Sequence, residues 1–207
     1  MIIVPTTCGT GSEVTNISVM NRVSKGVKMG LASDAMLADK AVLITNLLDS
    51  MPYQVFATSS IDAMVHSAES FLSPNGCSIS RLFSSEALKL ILTCWDKVVK
   101  EGGEEAWKRY AAEFLEASNW AGLGFGYAGC AAVHACAYPL GSVYHIPHGQ
   151  SNQLMFQDVM KMYKKLCPDG RINELEALIA ESLHVTPDTS LETLYALMDK
   201  VLKKAPL

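Results

Sequence analysis

The chain has 207 residues, 49% apolar and 18% charged, a globular balance with enough length to bury a core, which excludes a disordered chain. Seventeen Lys and Arg stand against 21 Asp and Glu, a net charge of −4, so the basic footprint of a nucleic-acid binder is missing. No apolar run approaches the length of a membrane span, and residues 1–5, MIIVP, do not read as a secretory signal.

In chain order, residues 1–4 are a short β-branched run that falls into a Gly/Thr loop at 5–12. The expected reading is a buried strand feeding that loop. Such a strand needs partners on both sides, so the chain reads as a fragment or truncated product that begins inside a domain. Residues 14–20, 28–32 and 41–45 are further expected strands, with turn formers at 21–26. From residue 48 onward apolar residues recur at helical spacing: 57–72, 79–99, 106–120, 128–138, 151–162, 172–183 and 191–202. Breakers stand between them at 73–76, 102–103, 122–126, 139–148, 168–170 and Pro187. The expected organisation is mainly α: a β-rich piece of an α/β domain over 1–48, then a helical domain over 49–207. Pro52 suits the first turn of a helix, with Asp49 or Ser50 as its cap.

The six cysteines, Cys8, Cys77, Cys94, Cys130, Cys136 and Cys167, include no C-x-x-C pair, so neither a zinc ribbon nor a thioredoxin-like site is suggested. They read as mostly buried thiols in a reducing cytoplasm.

Five histidines are present, and three stand where a ligand is plausible. Asp62 and His66 are four apart in an expected helix, hence on one face. That spacing fits two ligands of one metal, and equally an ordinary surface pair. The apolar neighbours Ile61, Ala63, Met64, Val65, Ala68 and Phe71 favour a buried pair, which needs partners. His134 lies in the small-residue segment AAVHACAY (131–138). It reads either as a core histidine bonded to a carbonyl or as a ligand approached closely by another element. His148 sits in a loop, HIPHG (145–149), ahead of a helix, as a ligand or a cap. His184 reads as a surface residue. Three imidazoles and a carboxylate suit Fe²⁺ or Zn²⁺ and not Ca²⁺. The loop TTCGTGSE (6–13) has hydroxyls and flexible backbone for an anion or ribose, but it is neither a Walker loop nor G-x-G-x-x-G, since Val14 stands at the third glycine position. A plain turn explains it equally well. No G-x-S-x-G or H-E-x-x-H occurs.

Residues 5–15 (PTTCGTGSEVT), Asp62-x-x-x-His66, the run from GLGFGYAG (122–129) to His134, PLG (139–141) and PHG (147–149) together resemble the iron-containing alcohol dehydrogenase family. The resemblance runs through nearly the whole chain, with the segments in the family's order. It implies a dehydroquinate synthase-like architecture: 1–48 as the end of a Rossmann-like nucleotide domain and 49–207 as a helical metal-binding domain, incomplete at its C-terminus. It also implies metal ligation by Asp62, His66, His134 and His148, with Fe²⁺ or Zn²⁺ as the ion. NAD is implied as cofactor, held by Thr6, Thr7, Gly9, Thr10 and Ser12, with Lys28 either on the cofactor or simply solvated.

Many members carry a histidine where Tyr138 stands. With SSIDA (59–63) and YHIPHG (144–149), that departure resembles the branch that interconverts 4-hydroxybutanoate and succinate semialdehyde. Another short-chain alcohol, a diol, or a metal-binding remnant without activity are the alternatives. Tyr138 and His145 are the candidate proton carriers, Tyr138 otherwise packing beside Pro139. The expected partners are a small alcohol or hydroxy acid and further copies of the chain, in the cytoplasm, with no nucleic acid or membrane.

Overall fold

The computed structural model describes residues 1–22, 24, 27–102 and 104–203; of Asn21, Val27 and Lys28 it describes the backbone only. Part of the expected turn at 21–26 lies outside the described residues. Among the described residues four strands come first: β1 (Ile2–Ile3), β2 (Ile17–Arg22), β3 (Val27–Ala32) and β4 (Lys40–Ala41). β2 and β3 form an antiparallel pair with Ile17 opposite Ala32, and β1 runs parallel to β4. Seven described α-helices follow: α1 (Tyr53–Leu72), α2 (Ser78–Glu101), α3 (Ala111–Ala128), α4 (Ala132–Val143), α5 (His148–Leu166), α6 (Ile172–Leu183) and α7 (Pro187–Leu202).

α1 is the hub. From Phe56 to Phe71 nearly every residue is buried, the mark of a helix surrounded by others rather than lying on a surface. It packs on α2, α3, α5 and α7. At its N-terminal end Phe56 stacks on Trp107 at 4.6 Å and meets Phe114 edge-on at 4.8 Å. Trp95 donates to Ser60 Oγ at 3.0 Å, which satisfies the indole inside the core.

Five expectations need correction. The first strand is not buried: Ile2 is 63% exposed, and among the described residues β1 pairs only with β4. The fourth strand is two residues long, because β1 offers only two partners; a 3-10 turn then takes Thr45–Leu48. Pro52 stands just ahead of α1, and no side chain caps that helix. The glycines at 122–126 do not break α3, which runs through them. A Cβ on Gly122 would lie 2.8 Å from Gly11 Cα and one on Gly124 would lie 2.3 Å from Ser84 Oγ, so the first is small because the Gly/Thr loop presses on the helix and the second because α2 does. Pro139 does not end α4, which continues to Val143. Ala135, whose carbonyl loses its helical partner to the proline ring, is exposed and can meet water.

The thiols also differ from expectation. Only Cys8 and Cys94 are buried; Cys130, Cys136 and Cys167 are exposed and none of the six is paired. No described helix is long and apolar enough to cross a membrane.

Candidate metal centre

α1 and α5 each carry two polar side chains one turn apart, Asp62 with His66 and His148 with Asn152, and the two helices set these faces against each other. α4 adds His134. The result is a cluster around Asp62 Oδ1. The Nε2 atoms of His66, His134 and His148 stand 3.8, 3.6 and 3.5 Å from that oxygen. Asp62, His66 and His134 are buried, and His148 is one-third exposed. Asp62, His134 and His148 present ligand atoms all within 4.8 Å of one another.

Hydrogen bonds behind the cluster fix which nitrogen each ring turns inward. His66 Nδ1 faces the Gly9 carbonyl at 3.3 Å, and His134 Nδ1 faces Glu69 Oε2 at 2.6 Å. With the proton on Nδ1, each Nε2 lone pair points to the centre. Glu69 is fully buried and also accepts from the backbone N–H of Ala131 (2.9 Å) and Val133 (2.6 Å). It thus caps α4, which has no side-chain cap of its own, and places a negative charge at that helix's positive end.

The electrostatics follow from burial and proximity. Burial acts to raise the Asp62 carboxyl, but His66, His134 and His148 outweigh it and bring it down to about 2. Burial likewise opposes ionisation of Glu69, yet His134 and the two N–H donors hold it below the usual carboxylate range. Burial disfavours the charged form of His134, while Asp62, Cys130 and Glu69 pull it well above the ordinary value. Cys130 is exposed as a residue, but its thiol sits against the protein, where desolvation opposes ionisation, and the imidazoles of His134 and His66 beside it outweigh that and bring it down to about 7.

The donor set fits a divalent cation. Several acceptors converge, and among the described residues one side-chain N–H group enters from outside them: Asn152 Nδ2 donates to Asp62 Oδ1 at 2.8 Å and lies 3.3 and 3.5 Å from the Nε2 atoms of His134 and His148. Asn152 Oδ1, fully buried, has no hydrogen-bond partner among the described residues. Buried acceptors that outnumber donors require either extra protons or a positive ion.

The centre opens on a cleft of about 690 Å³ whose opposite wall is the β2–β3 pair, through Ile17, Val19, Gly30 and Ala32. Thr10 and Ser12, hydrogen-bonded to each other at 2.6 Å, line it with Tyr138 and Phe125. Phe125 stacks on His66 at 4.0 Å, and the Tyr138 ring lies 5.9 Å from that of His148. Of the other residues singled out in the sequence, Gly9 is buried against α1, and Thr6 and Thr7 lie outside the cleft lining. Lys28 is in β3, its side chain outside the described set. His145 is exposed with φ 56° and does not line the cleft. His184, also exposed, ends α6.

Three residues of the cluster escaped the sequence reading: Glu69, Asn152 and Cys130. Glu69 follows His66 by three positions and Asn152 follows His148 by four, so both were one turn from a candidate ligand. Cys130 carried no such signal.

Residues 56–207 match the model of the Fe-containing alcohol dehydrogenase family, C-terminal, and residues 1–45 match that of iron-containing alcohol dehydrogenase. The chain belongs to the iron-containing alcohol dehydrogenase family. Among curated relatives of this dehydrogenase family, it is 42% identical over 211 residues to 4-hydroxybutyrate dehydrogenase of Clostridium kluyveri, an alignment covering all of this chain and 56% of that protein. It is 40% identical over 178 residues to long-chain-alcohol dehydrogenase 1 of Geobacillus thermodenitrificans, covering 86% of this chain and 44% of that one. Among solved structures, sulfoacetaldehyde reductase from Bifidobacterium kashiwanohense in complex with NAD⁺ matches with a TM-score of 0.81 and 27% identity, over 97% of this chain and 51% of the reductase. The chain spans about half the length of the curated relatives it matches.

Proposed function

We propose that this chain carries the metal centre of an NAD-dependent oxidoreductase interconverting a primary alcohol and its aldehyde, with 4-hydroxybutanoate and succinate semialdehyde as the pair. The observation that carries the reading is the convergence of Asp62, His66, His134 and His148 on one point at the floor of a cleft. Support for the substrate comes from the 42% identity to 4-hydroxybutyrate dehydrogenase along the whole chain. In this reading residues 49–207 hold the ion, and residues 1–48 contribute to the cofactor side of the cleft.

Asp62, His66, His134 and His148 would hold the ion, Fe²⁺ or Zn²⁺, which when bound supplies Lewis acidity toward the substrate's terminal oxygen. NAD supplies the hydride chemistry. The chain's own residues do the rest. Asp62 brings one negative charge, which favours a divalent ion over a proton on the rings. His66 and His134 stay in the Nδ1–H tautomer through Gly9 and Glu69. Ile17, Val19, Gly30 and Ala32 form an apolar wall that limits water in the cleft. Thr10 and Ser12 offer hydroxyls to a cofactor bound there, and Thr6, Thr7, Gly9 and Lys28 complete the proposed cofactor set. Tyr138 is half-buried, and burial raises its phenol above the usual value, so it stands as a proton donor at the cleft wall. His145, exposed at the end of α4, is the proposed exit to solvent. A reducing cytoplasm suits six unpaired thiols, and self-association is part of the reading.

The test is metal and turnover together. The purified chain should bind about one equivalent of Fe²⁺ or Zn²⁺ by mass-spectrometric metal analysis, and His148→Ala should lose it. Stoichiometric metal in that variant would sink the assignment of the ligands. A panel of 4-hydroxybutanoate, 1-propanol, a diol and a long-chain alcohol with NAD would then decide the substrate.

A further inference from the structure

We propose that Cys130 is a fifth donor at this centre, a thiolate that closes the coordination shell of a thiophilic ion such as Zn²⁺ from the cleft side. The inference rests on the metal centre proposed above but is independent of its substrate.

Three observations meet here. The Sγ of Cys130 and the ring nitrogens of His66 and His134 form a second group whose ligand atoms all lie within 4.8 Å of one another. This group shares His134 with the Asp62–His134–His148 group, so the thiol stands beside an imidazole of the proposed centre. Cys130 lines the cleft, whereas Asn152 lies behind the centre with its buried, unpartnered oxygen. The backbone explains why the thiol is there. α3 ends at Ala128, Gly129 turns with φ 77°, and α4 begins at Ala132. Cys130 is therefore pinned in a three-residue connection whose far side is held by Glu69 on the Ala131 N–H. That bond fixes the backbone next to Cys130 and so keeps its Cα at the cleft.

The chemistry sets the consequence. On binding, the Cys130 S–H bond breaks, its proton leaves to solvent, and a sulfur–metal bond forms; nothing is oxidised or reduced. Soft thiolate favours Zn²⁺ over harder ions, whereas an imidazole and carboxylate set alone discriminates less. A thiolate with Asp62 also brings the ligand charge to −2, which cancels that of the ion and weakens its pull on a substrate oxygen. Cys130 thus biases the centre toward zinc and competes with substrate for the cleft-facing position.

Cobalt spectroscopy separates this inference from the one beneath it. The full chain, stripped with a chelator and loaded with Co²⁺ under reducing, anaerobic conditions, should show visible d–d bands and a near-ultraviolet sulfur-to-cobalt charge-transfer band. Cys130→Ser should keep the d–d bands, which also report an intact fold, and lose the charge-transfer band. Its affinity for Zn²⁺ should drop by roughly tenfold or more, at least the scale carried by outer-shell partners of a metal, with Fe²⁺ affinity changing less. Visible bands without the charge-transfer band in the native chain, or a band that survives in Cys130→Ser, would overturn the role of Cys130 while leaving the metal centre standing. No cobalt bands at all would overturn both.

Discussion

Glu69 shows how one side chain can settle two problems. Its Oε2 accepts from His134 Nδ1 and the Ala131 N–H, and its Oε1 accepts from the Val133 N–H. It therefore fixes the tautomer of a proposed ligand and the start of the helix that carries it. Glutamine at this position has one acceptor oxygen and one NH2, so either orientation sets the NH2 against a donor N–H. Glu69→Gln is expected to weaken metal binding by about 10–100-fold, the range for outer-shell partners of a ligating histidine. Metal titration by competition with a chromophoric chelator checks it, and an unchanged affinity would remove Glu69 from the site. Asn152 acts from the other side, holding Asp62 Oδ1 at 2.8 Å.

The close approach of α5 to α1 is what brings His148 within reach of Asp62. Gly149 allows it: a Cβ there would sit 1.8 Å from the Thr58 carbonyl oxygen and 2.6 Å from its carbon. Both are backbone atoms of a buried helix, so neither can swing aside. Gly149→Ala is expected to destabilise the protein by about 1–3 kcal/mol, the usual cost of overpacking. It should also lower metal affinity, because α5 must move off α1 and take His148 with it. Thermal unfolding with and without zinc measures both effects, and a variant with native stability and affinity would show that the approach is not required. α4 illustrates the opposite tolerance. Pro139 sits inside it without ending it, since the helix is held from its first turn by Glu69 and the orphaned carbonyl faces outward.

At the scale of the molecule, the helical layer supplies the centre and the β2–β3 pair supplies the facing wall, so the cleft exists only where the two meet. The same packing sorts the thiols. Burial pushes Cys8 up to about 12, and burial with nearby Glu113 pushes Cys94 up to about 11. At pH 8 less than about one part in a hundred of either is thiolate, so both should resist alkylation. The metal-free native chain should titrate four cysteines of six with a thiol reagent, and all six only in denaturant. Since these folded values lie above the unfolded thiol value of 9.0, their contribution to stability is complete below pH 9. It declines as pH rises toward the folded values, which a thermal scan across that range would register. Rapid labelling of Cys8 in the native state would contradict the burial. Much of the fold and part of the candidate site were already legible in the chain. Helical periodicity located the long helices, since apolar spacing along one segment is a local property. The one-turn spacing of Asp62 and His66 put both on a single face before any fold was known. Which residue faces which across helices is not local. Tertiary packing decided that Glu69, Asn152 and Cys130 join the cluster where α1, α4 and α5 meet, that Gly122 receives a loop instead of breaking α3, and that β1 lies open. Those outcomes depend on distances between segments far apart in sequence, and only packing sets such distances.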